Sequence, residues 1–378
     1  MTTSADVIII GAGIAGASLA WQLRGTRRVV LLEAEDSPSH HSTGRSAAMM
    51  TPYAGAPLIR AASLASRAFL LAPPDGFSDA SLTTPRGVLR LAGEAELAAL
   101  DAAQDEGIAE GRPFKRMTPA DLMAKGLPIT DRVVRGLLDT EPRDIDVDAL
   151  HRGFLKGSGA ELWLKAPAVS IKQTGSDWVV ETPKGAVTAP VVVNAAGAFA
   201  DRVAGLAGVA PRGLTPCKRT IAHFDLPSHR TGQWPLIADP SFSFYAKPEA
   251  TGLLVSPSDA SPVDPGEIWP DDMDIALAVD RMQGWLDIAV RRPSAAWSGL
   301  RSFFADEDPV AGFDPAAPGF FWYAGQGGYG IQSSPALSQV AAAILCDAPI
   351  PTDLSDAGLT RDALSPVRLS QSSRKDPI

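Results

Sequence analysis

The chain has 378 residues, 45% hydrophobic and 20% charged, with a formal net charge of −9 and a pI near 5.1. That length holds about two domains. The composition excludes a disordered chain, and the acidic balance excludes a broad basic face for nucleic acid. Cys217 and Cys346 are too few for a disulfide framework or a four-cysteine zinc site. One disulfide and two reduced thiols both fit.

Asp6 precedes the first apolar run and no basic segment does, so the N-terminus does not read as a signal peptide. Residues 7–23 are interrupted by Gly11, Gly13, Gly16 and Ser18, which suits a strand, turn and helix better than a membrane span. A cytoplasmic location is expected, with peripheral membrane association left open.

Val7-Ile8-Ile9-Ile10 is a β-branched run of the kind buried on both faces of a sheet. Gly11-Ala12-Gly13-Ile14-Ala15-Gly16 follows, then helix formers to Arg24 and a stop at Gly25. Val29-Val30-Leu31-Leu32 reads as a second buried strand ending at Glu33. Each residue in this order has a task. Gly11 allows the tight turn, Gly13 the approach of a pyrophosphate, and Gly16 close helix–strand packing. The helix N-terminus favours phosphate, and Glu33 can accept both hydroxyls of an adenosine ribose. A G-x-G-x-x-G alone is weak, but strand, turn, helix, strand and terminal acid in register point to a bound dinucleotide.

The loop His40-His41-Ser42-Thr43-Gly44-Arg45-Ser46-Ala47-Ala48 carries three hydroxyls and an arginine. It reads either as a strip running along the dinucleotide or as a helix N-cap with a solvated approach. No acid cluster accompanies His40-His41 in the sequence, so no metal site is expected. Residues 61–71 read as a helix, 72–86 as a loop, 88–92 as a strand and 94–105 as a helix. Thr118-Pro119 opens another helix as cap and N1 proline. Nothing between residues 61 and 140 shows catalytic spacing. Asp144, Asp146 and Asp148 resemble the start of a calcium loop, but the turn glycine and the twelfth-position glutamate are missing, which leaves an acidic helix cap.

Strands are expected at 161–164, 169–171, 178–182 and 185–187, then a buried one from Pro190 running into Ala195-Ala196-Gly197. Residues 219–301 break into short alternating segments, including 242–247, 253–255 and 297–301, with a helical stretch inside 267–288. Phe320-Phe321-Trp322-Tyr323-Ala324, a glycine loop at 325–331 and a helix at 336–345 form a second strand–loop–helix unit. Residues 370–378 are a polar tail expected to be mobile.

There is no G-x-S-x-G elbow, P-loop or C-x-x-C, and no second G-x-G-x-x-G suited to a separate NAD domain. One N-terminal fingerprint plus a late glycine loop fits FAD, which is long enough to reach both units. A helix N-terminus near Ile331 could then face the flavin pyrimidine, where reduction places negative charge.

The chain resembles the D-amino-acid oxidase superfamily of FAD enzymes, and within it the bacterial D-arginine dehydrogenase type. The resemblance rests on residues 11–18 and 41–48, Val193-Asn194-Ala195-Ala196-Gly197-Ala198, Gly299-Leu300-Arg301-Ser302-Phe303 and Gln326-Gly327-Gly328-Tyr329-Gly330-Ile331-Gln332. It runs to about residue 369. The HSTGRSAA and QGGYGIQ segments are its specific parts.

The resemblance implies an α/β fold, with a Rossmann-like FAD-binding lobe and a mixed-sheet α+β substrate lobe. The expected boundaries are 1–78, 145–218 and 300–370 for the first lobe, 79–144 and 219–299 for the second, and a tail at 371–378. FAD contacts are implied at Gly11, Ala12, Gly13, Ile14, Ala15, Gly16, Glu33, Ala34, Ser42, Thr43, Arg45, Ser46, Ala47, Ala48, Met49, Val169, Ala196, Gly197, Gly328, Tyr329, Gly330, Ile331 and Gln332. Binding without a covalent bond is expected, since neither His41 nor Cys346 sits in an attachment motif.

At the substrate, Arg301 is the first-choice carboxylate anchor by resemblance, because a guanidinium can give a carboxylate two parallel hydrogen bonds. Arg219 and Tyr245 match a second anchor and a substrate-facing tyrosine, and the Gly328 carbonyl matches an acceptor for the amine. On the residues alone, a surface ion pair and a core aromatic would fit Arg219 and Tyr245 as well. The family's lid-loop tyrosine aligns with Ala54, one place after Tyr53. Gly87 stands where D-arginine dehydrogenases carry a guanidinium-binding glutamate, and Met49-Met50 replaces a His-Tyr pair. These departures predict a preference for D-amino acids with neutral or apolar side chains, unless Asp239, Glu249 or Asp259 restores the acid.

The activity implied is hydride transfer from the α-carbon to flavin, giving an imino acid that hydrolyses to a 2-oxo acid and ammonia. Oxygen and a quinone both remain open as the final acceptor. A 2-hydroxy-acid or sarcosine-like secondary-amine oxidoreductase, and a flavin-binding redox sensor without turnover, are the alternatives.

Overall fold

The computed structural model describes residues 2–229 and 231–370. Its centre is a six-stranded sheet in the order Glu161–Trp163, Val29–Leu32, Val7–Ile10, Val191–Asn194, Phe320–Ala324 and Val310–Phe313. All neighbours are parallel except the last pair. Side chains alternate between the faces of a strand, and both faces of this sheet are covered. Val7, Ile9, Leu31, Val193, Phe321 and Tyr323 pack on one side with the helices Ile14–Gln22, Pro57–Leu71 and Gly330–Leu345. Ile8, Ile10, Val30, Leu32, Val192, Phe320 and Trp322 pack on the other. That face is covered by the meander Ser170–Thr174, Asp177–Thr182 and Gly185–Ala189 and by the helix Ala200–Leu206. Two-sided burial is why these strands read as unbroken apolar runs.

An eight-stranded sheet forms the other layer. Its order is Ala295–Phe303, Thr215–Asp225, Gly252–Ser256, Tyr245–Pro248, Leu236–Ala238, Val88–Ala92, Arg135–Asp139 and Phe114–Met117. It is antiparallel apart from the pairing of Leu236–Ala238 with Val88–Ala92. Leu89, Leu91, Ala222, Phe224, Ile237, Ala246, Leu253 and Val255 face the helix Asp272–Gln283 and form a separate core. A three-stranded sheet of Met49–Met50, Arg143–Ile145 and Thr83–Pro85 adds a further antiparallel layer.

Most expected elements fall within a few residues of their places, and the exceptions have physical causes. The expected strand 242–247 is reduced to Tyr245–Pro248. Phe242 has φ +52 in a turn, where Asp239 accepts from the Ser243 amide and the Ser241 hydroxyl. The helix expected from 336 begins at Gly330 and runs through Pro335. The amide that proline lacks is compensated: the Ser334 hydroxyl donates to the Ile331 carbonyl, and the Ala336 amide donates to Ser66 Oγ. The expected loop 72–86 contains the strand Thr83–Pro85, and the helix expected at 61–71 starts at Pro57, a proline in the first turn.

The acidic-cap reading of the Asp-rich segment holds. Asp146 caps the helix Val147–Ser158 by accepting from the Ala149 amide. Thr118 and Asp121 form a reciprocal capping box. Cys217 and Cys346 are both free. Among the described residues no helix is long and apolar enough to cross a membrane. Ser370 ends a short helical turn, and the rest of the expected tail lies outside the described residues.

We propose that the two large sheets frame the two expected lobes. The breaks expected at 218/219 and 299/300 fall inside strands of the eight-stranded sheet, so both strands belong whole to the second lobe.

Candidate active site

The strand order reverses direction between Val7–Ile10 and Val191–Asn194, and at such a switch point the carboxyl ends of the strands leave a crevice. Gly11, Glu33, Ala195 and Gly325, each just past the end of a parallel strand, line one cavity of about 890 Å³. The cavity continues over the concave face of the eight-stranded sheet to Arg219, Tyr245 and Arg301.

At the first end the backbone dictates the residues. Gly11 has φ +103, and a Cβ there would lie 2.5 Å from the Ala195 carbonyl oxygen. A Cβ at Gly16 would lie 1.9 Å from the Gly11 carbonyl oxygen, so helix and strand touch through backbone alone. Gly13 lines the cavity and precedes the first turn of Ile14–Gln22. Ala12 and Gly16 are not on the wall. Ala12 instead links the loop to two partners: its amide donates to Glu33 Oε2 at 3.0 Å, and its carbonyl accepts from His151 Nε2 at 2.8 Å. Burial holds the His151 pKa below the usual histidine value. Glu33, 9% exposed, also accepts the Glu35 amide through Oε1 at 3.0 Å, so both its oxygens are braced while it lines the cavity.

The 40–48 loop lines the same end, but its polar groups are engaged within the protein. Thr43 Oγ1 accepts from the Ile14 amide at 3.0 Å, Ser42 donates to the Leu300 carbonyl at 2.7 Å, and Arg45 donates to the Ser298 carbonyl at 3.0 Å and pairs with Glu267. The loop thus caps the first helix and ties the dinucleotide unit to the substrate strands. The absence of an acid beside His40-His41 is corrected by the fold. Glu35 joins both rings, and the three ligand atoms lie within 4.8 Å of one another. Val169 is 55% exposed and off the cavity, which is bounded there by Ala166, Pro167 and Ala168. Gln332 is also off the wall. Its amide group grips the Thr51 backbone, accepting at 2.6 Å and donating at 3.3 Å, and so steadies the loop that carries Tyr53.

At the second end the residues come from separate strands. Arg301 lies against the Gly328 backbone so closely that a Cβ at Gly328 would fall 1.6 Å from Nη2. Its guanidinium faces the rings of Tyr329 and Phe303 at 5.4 and 5.7 Å and has no hydrogen bond or carboxylate partner among the described residues. Arg219 Nε donates to the Asp259 carbonyl at 2.7 Å. Burial, and then the positive charge of Arg301, push the Arg219 pKa below the usual arginine range, while nearby Tyr245 and the Asp259 carboxylate, 3.9 Å from Nε, work the other way. Two guanidiniums and a phenol held together in this way form a site for an anion.

The stretch 61–140, which shows no catalytic spacing in the sequence, nevertheless lines the cavity. Arg90, Glu106, Arg112 and Asp139, with Glu141 just beyond, line the far end of the cavity together with Tyr53. Arg112 pairs with Asp139 and faces the Tyr53 ring at 4.8 Å. Burial and the Glu141 charge raise the Tyr53 pKa. The readable signal was Arg90 itself, a charge of opposite parity to Leu89 and Leu91 in an apolar strand. Gly87 is off the wall, at φ +76, and a Cβ there would lie 2.9 Å from the Asp139 carbonyl oxygen. Met49 lines the cavity but Met50 is buried in the core. Asp239, Glu249 and Asp259 are spent on Ser243, Lys247 and Thr220, and none lines the cavity.

Residues 6–344 match the DAO model of FAD dependent oxidoreductases, and the chain belongs to that family. It is 26% identical over 401 residues to FAD-dependent oxidoreductase domain-containing protein 1 of Bos taurus, covering 90% of this chain and 81% of that one. Glycine oxidase from Geobacillus kaustophilus has a similar structure, with a TM-score of 0.80 and 21% identity over 95% of this chain and 99% of its own. Iminodiacetate oxidase from Chelativorans sp. BNC1 superposes with a TM-score of 0.76 at 22% identity, covering 93% and 98%.

Proposed function

We propose that this oxidoreductase cleaves the α-C–H bond of D-amino acids, in the manner of the D-arginine dehydrogenase type that its motifs resemble. The observation that carries the reading is the unpartnered Arg301 guanidinium lying against Gly328 in the cavity reached by the glycine turn. Bound FAD supplies the hydride acceptor. The residues present fit it: Gly11 and Gly13 give the close approach, the Ile14–Gln22 N-terminus a phosphate site, and Glu33 a ribose acceptor. Residues 195–197 and 328–331 line the remainder.

Arg301 and Arg219 take the substrate carboxylate and Tyr245 braces Arg219. The Gly328 carbonyl accepts from the amine, orienting the α-hydrogen into the cavity. No side-chain base is required once the amine is neutral, since its lone pair helps expel the hydride. The imino acid then hydrolyses to a 2-oxo acid and ammonia.

The expected neutral or apolar preference rested on Gly87 and the Met49-Met50 pair; of these only Met49 is on the wall, so side-chain selectivity comes from Met49 and the other residues that line the cavity. A second reading, oxidation of small secondary amines, uses the same carboxylate anchors. The likeness to glycine oxidase and iminodiacetate oxidase favours keeping it.

Anaerobic bleaching of the flavin by D-amino acids, N-methyl amino acids and 2-hydroxy acids tests the reading. Bleaching by D-amino acids is expected, and bleaching only by 2-hydroxy acids, or by nothing, would overturn it. Peroxide formation in air separates oxygen from a quinone as acceptor. We also propose that the flavin is held without a covalent bond, because His41 is committed to Glu35 and Cys346 lies off the cavity. Acid precipitation should leave a yellow supernatant over a white pellet.

A further inference from the structure

On the concave face of the eight-stranded sheet, Arg90, Ala238 and Tyr245 are direct cross-strand partners in one row. Residues directly opposite on neighbouring strands point to the same face. Arg90 therefore looks into the cavity that Arg219 enters from four strands away. At an interstrand spacing of roughly 4.8 Å, that is about 19 Å between strand axes, with both side chains lining the space between.

The acids around Arg90 are already used. Asp139 pairs with Arg112 and accepts the Glu141 amide at 3.0 Å. Glu141 pairs with Arg67 at 3.0 Å, Glu110 with Arg112 at 3.3 Å, and Glu106 faces Arg60 at 3.8 Å. Arg90 has no hydrogen bond and no carboxylate within 4.0 Å among the described residues, only the Phe242 ring at 5.1 Å. Burial pushes its pKa below the usual arginine range, the like charge of Arg112 pushes the same way, and Asp139 and Glu106 pull back from longer range. A half-buried guanidinium with no protein partner is a ready site for an anion, and a stacked ring offsets only part of its lost hydration.

We propose that Arg90 is a second carboxylate anchor, so that the substrate is an amine carrying two carboxylates, one held by Arg219 and Arg301 and the other by Arg90. This rests on the amine-oxidising reading of the same cavity. It reverses the preference expected from Gly87. Phe242, at φ +52, lines the cavity with its ring 5.1 Å from the Arg90 guanidinium.

The test uses the flavin-loaded enzyme with D-glutamate, D-aspartate and iminodiacetate against D-alanine, D-leucine and sarcosine. The diacids should have a kcat/KM at least about tenfold above the monoacids of the same amine type. Arg90→Gln should lower diacid kcat/KM roughly thirtyfold or more, chiefly through KM, and move the monoacids by less than about threefold, while Arg90→Lys keeps part of the diacid activity. Binding of glutarate against butyrate, followed by perturbation of the flavin spectrum, gives a readout without turnover. Arg90-dependent glutarate binding with no bleaching by any amine would uphold the anchor and overturn the amine-oxidising reading. Monoacids preferred over diacids, equal losses for both classes in Arg90→Gln, or glutarate binding no tighter than butyrate would overturn the anchor.

Discussion

The two ends of the cavity are built by different means. At the dinucleotide end, residues 10–16 and 29–35 supply a turn, a helix N-terminus and an acid, and their contacts are mostly backbone: Gly16 on Gly11, the Ala12 amide on Glu33, the Ile14 amide on Thr43. At the substrate end, Arg90, Arg219, Tyr245 and Arg301 come from four strands spread over more than half of the chain, and it is their side chains that line the cavity. Changes at the first end should therefore act through shape and cofactor retention. Changes at the second should act on turnover with the cofactor in place.

The largest effect is expected at Gly16. Gly16→Val must displace the Gly11 carbonyl, and overpacking of this kind costs about 3 kcal/mol or more. The variant should purify colourless or insoluble, as read by flavin absorbance per mole of protein. A yellow, stable Gly16→Val would break the contrast at its strongest point.

Next is Arg301→Met, which removes the proposed carboxylate anchor without touching the glycine turn. Loss of about 2–5 kcal/mol of transition-state binding is expected in kcat/KM, with flavin content unchanged. Equal loss of flavin would show that the two ends are not separable.

Glu33→Gln keeps one acceptor of the two that brace the Ala12 and Glu35 amides. A weakening of FAD binding by about 1.5–3 kcal/mol is expected in a flavin titration, with the KM for substrate little changed.

A smaller effect sharpens the first end. His151 is buried below its ordinary pKa, so in the pH range below about 6.5 the unfolded chain binds a proton that the folded one refuses. Stability should fall as pH drops through that window and be insensitive to this group above it. His151→Gln, whose amide can still donate to the Ala12 carbonyl from the Nε2 position, should flatten the acid side of a Tm-versus-pH curve. An unchanged slope would assign the acid sensitivity to other groups. The smallest effect is expected for Ser42→Ala, which unties the loop from the Leu300 carbonyl at a cost of about 1 kcal/mol in thermal stability.

The sequence by itself determined the dinucleotide unit, the second strand–glycine loop–helix unit and the acidic cap at Asp146, and its family resemblance pointed to the arginines and tyrosine now found in one pocket. These are local features, or residues whose type limits what they can do. A glycine beneath a carbonyl or an acid at a strand end declares itself within a few positions, because backbone geometry is set by near neighbours. Only the tertiary structure decided the rest. It took Gly87 and Val169 off the wall, brought Glu35 to the histidine pair, carried a helix through Pro335, and drew Arg90, Arg112 and Asp139 into the pocket. The reason is strand order. Leu236–Ala238 pairs with Val88–Ala92 across a long stretch of sequence, and which side chains then share a face depends on that pairing and its register.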